Sequence, residues 1–283
     1  MYWQQRFDRV NKDLELEEKI LEIREEHPNY GYRRIHAILN RDGPPVNKKK
    51  VQRLVQKLGI QVKSFSRRSK YNSYKGNVGK IAPNIINRDF SADMPHQKIT
   101  SDTSEFKYFE KDKSGKIQIK KLYFTPFIDM FNGEILSYSI SKQPTYPSVL
   151  KPLDKAIEIT NTSNTETIFH SDQGWPYQLN QYTSRLATND IIQSMSRKSN
   201  CLDNSPMESL FGILKQEIYY GNTFNSYNQL EKILKEYIRY YNEDRIKARL
   251  GYLSPVEYRI LKTSEIANSP RGININKNTS NNT

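Results

Sequence analysis

Three carboxylates stand where they could do chemistry: Asp102 in "KITSDTSEFKYF", Asp172 in "IFHSDQGWPYQ" and Glu208 in "CLDNSPMESLFGILKQE". Asp172 follows a short apolar run and precedes Gly174, where a strand gives way to a loop. Asp102 lies within an alternating segment, and Glu208 opens a helix. In open sheets with crossover helices, ligands gather at the carboxyl ends of strands. If the strands of Asp102 and Asp172 are neighbours, the two carboxylates converge there and the helix adds Glu208. Three carboxylates facing one point repel unless cations lie between them. Mg²⁺ takes oxygen ligands and keeps substrate phosphate in its shell. Two such ions about 4 Å apart can activate an attacking oxygen and stabilise a leaving one in phosphoryl transfer. Each residue also has a plainer reading. Asp172 suits a turn, and Asp102 a half-exposed strand. Ser205-Pro206-Met207-Glu208 fits a capping box with Ser205 as N-cap, Pro206 at N1 and Glu208 at N3. Asp129, in "FIDMFNGEI", is a competing carboxylate before Gly133.

The surrounding pattern supplies the elements. Residues 12–26 have Leu16, Ile20 and Ile23 at helical spacing. "YGYRRIHAILNRDG" makes a second helix, stopped by Gly43-Pro44-Pro45. Asn47 caps a third helix through Leu58, with Val51, Leu54, Val55 and Leu58 inward. Lys48, Lys49, Lys50, Arg53 and Lys57 take its outer side, a helix-turn-helix geometry suited to a DNA groove. Residues 61–95 read as a basic linker. From residue 97 the period becomes two. "KITSDTSEFKYF", "IQIKKLYFTPFIDM", "GEILSYSIS", "ETIFHSD" and "IIQSM" read as five strands, with helices at Tyr146–Thr160, at Gln178–Thr188 and from Pro206. That order predicts an α/β fold, a mixed five-stranded sheet covered by helices. Residues 226–242 carry an apolar stripe of Leu230, Ile233, Leu234, Tyr237, Ile238 and Tyr241, read as packing, and "LSPVEYRIL" adds a short helix. The tail, 266–283, reads as disordered.

The net charge is +13 over 283 residues. Residues 31–80 hold fourteen basic side chains and one acid, the whole excess. One basic block on a balanced body points to a polyanion, and hence to nucleic acid. The single cysteine, Cys201, excludes an intrachain disulfide and fits a reducing compartment. No signal peptide or membrane-spanning run is evident, so a cytoplasmic, nucleoid-associated protein without a membrane partner is expected.

"HSDQGWPYQ", "SMSRKSNCLDNSPMESLFGILKQE" and "YIRYYNEDRIKARLGYLSPVEY" resemble the second-frame (OrfB) transposases of the IS-three family of insertion sequences. "YGYRRIHAILN" resembles that family's N-terminal helical segment, and the resemblance runs from about residue 28 to 259. It implies an RNase H-like integrase core and a DDE triad with 35 residues between the second Asp and the Glu, as separate Asp172 from Glu208 here. Asp102, Asp172 and Glu208 are thereby the implied catalytic residues and the ligands of two divalent ions, Mg²⁺ or Mn²⁺. Asp129 matches a family position outside the triad. Lys215 matches a basic residue seven places after the Glu, implying a grip on DNA; Arg33, Arg34, Lys48, Lys49, Lys50, Arg53 and Lys57 complete the expected DNA contacts. The chain departs from the family in having Ile99 where a Trp usually precedes the first Asp.

The implied organisation is a helical DNA-binding region (1–60), the linker (61–95), the catalytic core (96–222), a helical extension (223–265) and the tail. The implied reaction is metal-dependent cleavage at an element end, exposing a 3′-hydroxyl that attacks another phosphodiester without a covalent enzyme–DNA intermediate. Implied partners are double-stranded DNA (terminal inverted repeats and target), the first-frame OrfA product, free or as a fusion, and further copies of the chain on DNA. Two rivals share the sequence pattern: a non-catalytic DNA-binding regulator or defective copy, and a metal-dependent nuclease without strand transfer.

Overall fold

The computed structural model describes residues 11–62, 80–161, 166–198 and 200–268. They form two compact units, divided at position 66. Among its described residues the first unit has three helices: α1 (Leu14–Glu26), α2 (Tyr32–Asp42) and α3 (Lys48–Lys57). Ile20, Tyr30, Ile35, Leu39, Val51, Leu54 and Val55 are its buried apolar residues. Asn47 caps α3 as its sequence predicts, its side chain accepting the Lys49 N–H at 2.8 Å. The turn before it is closed by Asn40, whose Oδ1 accepts the Val46 N–H at 2.6 Å.

The second unit is built on a six-stranded sheet. β1 (Lys98–Ser101) and β2 (Ser104–Lys111) run in a single register along β3 (Ile117–Asp129), with Ser101 opposite Phe127 and Ser104 opposite Phe124. The sequence reading joins β1 and β2 into one strand, giving five; the ladder in fact breaks at Asp102–Thr103. Two local causes meet there. Pro126 of β3 has no N–H to offer, and Asp102 Oδ1 takes the Thr103 N–H at 2.7 Å. Asp102 therefore sits at an interruption between strands and not within one. β4 (Ile135–Ser141) pairs antiparallel with β3, while β5 (Ile168–Ser171) runs parallel to β1 and β6 (Ile192–Met195) parallel to β5.

Side chains alternate across the sheet and give it two apolar faces. Leu122, Phe124 and Ile128 of β3 face α6 (Ser205–Leu214) and α7 (Tyr227–Glu243), where Leu210, Leu214, Leu230, Leu234 and Ile238 are buried. Phe127, Ile99 and Phe169 face α4 (Tyr146–Thr160) and α5 (Asn180–Thr188). Each large apolar side chain so buried contributes roughly 1.5–3 kcal/mol before chain entropy is counted. Pro152 lies inside α4 and cannot bond the Ser148 carbonyl; the Ser139 hydroxyl of β4 donates to that carbonyl instead. After α7, the last helix, α8 (Pro255–Ala267), begins in a capping box of Ser254 and Glu257. Among the described residues, no helix is long and apolar enough to cross a membrane.

The linker expected over 61–95 is too long at its C-terminal end. Residues 63–79 lie outside the described residues, but Pro83 to Arg88 runs against β6, with the Met195 N–H on the Pro83 carbonyl and the Ile85 N–H on Ser194 Oγ at 3.0 Å. Apolar Ile86, 3% exposed, is the packing signal that the basic composition of this stretch hides. The tail beyond Asn268 also lies outside the described residues.

Candidate active site

Ser101 and Ser171 are paired in register on adjacent parallel strands, so Asp102 and Asp172 are the next residues of both chains at the same sheet edge. Neighbouring strands lie about 4.8 Å apart, which puts the two carboxylates side by side. Each keeps one oxygen for a local bond. Asp102 Oδ1 accepts the Thr103 N–H, and Asp172 Oδ1 accepts the Gly174 N–H at 2.9 Å. The turn reading of Asp172 therefore holds together with its place in the pair. Gly174 is required for close approach: a Cβ there would stand 2.8 Å from Asp172 Oδ1.

Burial, then the Asp172 charge and, more weakly, the Glu208 charge push the Asp102 carboxyl up to about 8. Burial also raises Asp172. Among the described residues neither carboxylate has an ion-pair partner. Glu208 lies on the first turn of α6 with its side chain exposed. The capping box expected there does not form: the N-cap position falls on Asn204, and no side-chain cap bond is made. Glu208 is thus free of the structural duty its sequence suggests. The structure does not draw all three carboxylates into one ligand group; among the described residues, no three of His, Cys, Asp and Glu are so grouped.

Lys215 follows the last residue of α6 and begins a π turn, Lys215–Tyr219. Its Nζ lies 5.1 Å from the centre of the Phe106 ring. Burial lowers its pKa, against the opposing effect of the Asp102 and Glu105 charges. The π turn is anchored from behind: Glu217 accepts from Arg245 Nη2 at 2.6 Å and from the Tyr237 hydroxyl at 2.9 Å.

Sequence reasoning missed the residues that hold this site in place. His170, of the "HSD" stretch, is buried; its Nδ1 pairs with Ser194 Oγ at 2.9 Å and its Nε2 with the Asp203 carbonyl at 2.9 Å. Asn204 Oδ1 accepts from Thr100 Oγ1 at 2.6 Å, and its Nδ2 donates to the Ser101 carbonyl at 3.2 Å. These bonds tie the entry of α6 to β1 and β5, the strands that lead into Asp102 and Asp172. The Asp203 carboxylate is fully buried and accepts from Arg197 Nε at 2.7 Å and Arg88 Nε at 2.8 Å. The two guanidinium groups hold its carboxyl well below the usual range, against the opposing effect of desolvation. His170, Asp203 and Asn204 were visible inside motifs whose spacing draws attention to their neighbours; Arg88 carried no signal.

The basic candidates of the first unit divide. Lys50 and Arg53 both bind Asp13 at 2.7 Å, and Lys57 binds Glu17 at 2.6 Å. They join α3 to the α1 region, so an outer side free for DNA is overstated for these three. Arg33 lies 5.9 Å from the Tyr32 ring centre and Arg34 5.2 Å from that of Tyr30. Lys48 and Lys49 are exposed in the first turn of α3. Residues 11–62 carry eleven basic and eight acidic side chains, so much of the basic excess belongs to the stretch that follows.

Comparison with known proteins agrees with this architecture. An integrase core domain family matches residues 92–201, a second integrase core domain family matches 208–262, and an HTH-like domain family matches 11–70. The chain is 41% identical over 250 residues to InsK of insertion sequence element IS150 of Escherichia coli, covering 88% of this chain and 84% of that protein. A transposase-like protein of Haemophilus influenzae is 46% identical over 214 residues, covering 76% of this chain and 93% of that protein. The transposase for insertion sequence element IS904 of Lactococcus lactis is 31% identical over 247 residues, covering 86% and 92%. Through these relatives and its HTH-like and integrase core matches, the chain belongs to the IS-three family of insertion-sequence transposases.

Proposed function

We propose that the chain is a divalent-metal-dependent polynucleotidyl transferase that cleaves and joins DNA strands at the ends of its insertion sequence, with Asp102, Asp172 and Glu208 as its catalytic carboxylates. The observation that carries this reading is the Asp102–Asp172 pair: two carboxylates at adjacent strand ends, raised by burial, with repulsion adding to the shift at Asp102, and with no ion-pair partner for either among the described residues. That donor set fits hard divalent cations such as Mg²⁺ or Mn²⁺. Asp102 and Asp172 would hold them, with Glu208 joining from α6. When bound, such ions supply activation of an attacking oxygen and stabilisation of a leaving one. Asp102 and Asp172 keep one oxygen each on backbone N–H groups, which fixes their orientation. Thr100 and Asn204 hold α6 at the sheet edge. Lys215 offers a cation to a DNA phosphate beside the pair. An ammonium cannot ligate a metal, so Lys215→Ala is expected to lower strand joining about tenfold or more while calorimetric Mg²⁺ affinity stays near the parent's. Metal affinity lost to the same degree as in Glu208→Gln would contradict that role.

The direct experiment incubates labelled element-end DNA with the chain and Mg²⁺, and resolves cut and joined products. Joined products that vanish with a chelator support strand transfer. Cut products alone favour a nuclease, and metal-independent binding without cutting favours a regulator.

The first unit binds DNA in this reading, together with further copies of the chain and the first-frame product. Lys48 and Lys49 put positive charge at the positive end of a helix, which local stability disfavours, so their value lies outside the fold. Each phosphate contact contributes about 0.9 to the salt dependence of duplex binding. Lys48→Ala/Lys49→Ala is therefore expected to flatten the slope of log affinity against log salt by about two, with no loss of helical content by circular dichroism. Lys57→Ala should flatten it less, because its amine is engaged by Glu17. Equal slopes for parent and double variant would remove α3 from the DNA interface.

A further inference from the structure

Ile86 to Asp89 makes a tight turn, closed by a 2.8 Å bond from the Asp89 N–H to the Ile86 carbonyl. Both central residues are left-handed, Asn87 at φ 43° and Arg88 at φ 67°. Such turns favour Asn followed by Gly, because a residue with a Cβ is disfavoured there. Arg stands in the Gly position. Backbone held in a disfavoured region persists only where its surroundings over-determine it, and such residues cluster at functional sites. Here the surroundings are specific. Arg88 Nε reaches Asp203 Oδ1 at 2.8 Å, and Asn84 Nδ2 reaches Asp203 Oδ2 at 3.1 Å. Asn84 Oδ1 meanwhile accepts the Asn87 N–H at 2.9 Å, bracing the turn. Ser194 Oγ accepts the Ile85 N–H at 3.0 Å and pairs with His170 Nδ1.

We propose that Arg88 is a positioning residue for strand transfer. By gripping the buried Asp203, five residues before Glu208, it fixes the loop that enters α6 and so presents Glu208 to the Asp102–Asp172 pair. The proposal rests on the functional reading above. Arg197 grips the same carboxylate, Nε at 2.7 Å and Nη2 at 2.8 Å, but it belongs to the same loop, six residues from Asp203. Arg88 lies 115 residues away and ties that loop to a separate part of the chain. Without Arg88, Asp203 keeps Arg197 inside its own loop, but its tie to residues 84–88 is reduced to the neutral Asn84 bond.

Gly and Asn both accept left-handed backbone, so Arg88→Gly and Arg88→Asn remove the guanidinium while relieving the turn. The test measures thermal midpoint, end-DNA affinity and single-turnover cleavage across a Mg²⁺ titration in the full chain, with Glu208→Gln alongside. Both variants should melt no lower than the parent and bind DNA equally well. Cleavage should fall about tenfold, as loss of an outer-shell support does, with the half-saturating Mg²⁺ concentration raised several-fold. Arg88→Lys should recover part of the loss. Unchanged cleavage and metal dependence in both variants would overturn the proposal, as would a loss that only tracks a lowered midpoint. A fully active Glu208→Gln would overturn the functional reading and the proposal with it, whatever the Arg88 variants do.

Discussion

Asp102→Asn and Asp172→Asn are each expected to lower element-end cleavage by several orders of magnitude while the chain stays folded. Asn keeps the shape of Asp and loses the charge that holds a cation, so a two-metal site fails without a packing change. The same substitution has an opposite effect on stability. The Asp102 carboxyl is pushed up to about 8, first by burial and then by Asp172. A carboxyl raised in the folded state favours folding below its unfolded pKa, near 3.8, and loses that contribution as pH rises through about 8. Asp102→Asn is free of that loss. Without metal, its thermal midpoint should exceed the parent's at pH 8, and the gap should close by about pH 4. Asp129 is the control. It lies opposite Ile99, at the other end of β1 from Asp102, and its oxygens accept the His96 N–H at 2.8 Å and the Phe131 N–H at 3.0 Å. Asp129→Asn should retain most cleavage per folded molecule, although an amide N–H facing one of those donors costs stability. An inactive but folded Asp129→Asn, or an active Asp102→Asn, would break the assignment.

Asp203→Ala is expected to cost the fold about 2 kcal/mol at neutral pH, the scale of charge-assisted hydrogen bonds, because the arginines left behind are about half exposed and stay solvated. Arg88, Arg197 and Asn84 would lose their common acceptor, and the entry of α6 would lose its side-chain tie to residues 84–88 while keeping those made by Asn204 and the Asp203 carbonyl. The pH dependence has a definite sign. Asp203 is held below the ordinary Asp value of 3.8, so its stabilisation is complete above that value and is lost as pH falls toward the folded one. The gap between parent and Asp203→Ala in urea unfolding should therefore be widest near pH 7 and narrow below about pH 4. A gap independent of pH would mean that Asp203 does not act through its charge.

Much of this architecture can be read locally. The period-two runs became β3 to β6, and the Asn47 cap and the apolar stripe of α7 formed as their residues dictate; the 35-residue interval between Asp172 and Glu208 has meaning only through the family resemblance. What sequence could not show depends on partners far along the chain. The break that frees Asp102 from the ladder requires Pro126, which only the register of β3 brings opposite. The capping box at Ser205 fails because the helix starts one residue earlier, and Asn204, now in the cap position, turns its side chain to Thr100 and Ser101. Lys50, Arg53 and Lys57 look like a free basic face until α1 brings Asp13 and Glu17 to them, about forty residues away in sequence. Arg88 looks like one more charge in a basic linker; only its left-handed backbone and its bond to Asp203 set it apart.

The central claim is that Asp102 and Asp172, with Glu208, hold divalent ions for strand transfer. Crystals of the full chain grown with Mn²⁺ and element-end DNA, measured at a wavelength where manganese scatters anomalously, test it most directly. Anomalous density is expected between the Asp102 and Asp172 carboxylates, with Glu208 turned toward it, and is expected to be lost in Asp172→Asn. Density at Asp129 and Glu134, or none at the aspartate pair while DNA is bound, would contradict it.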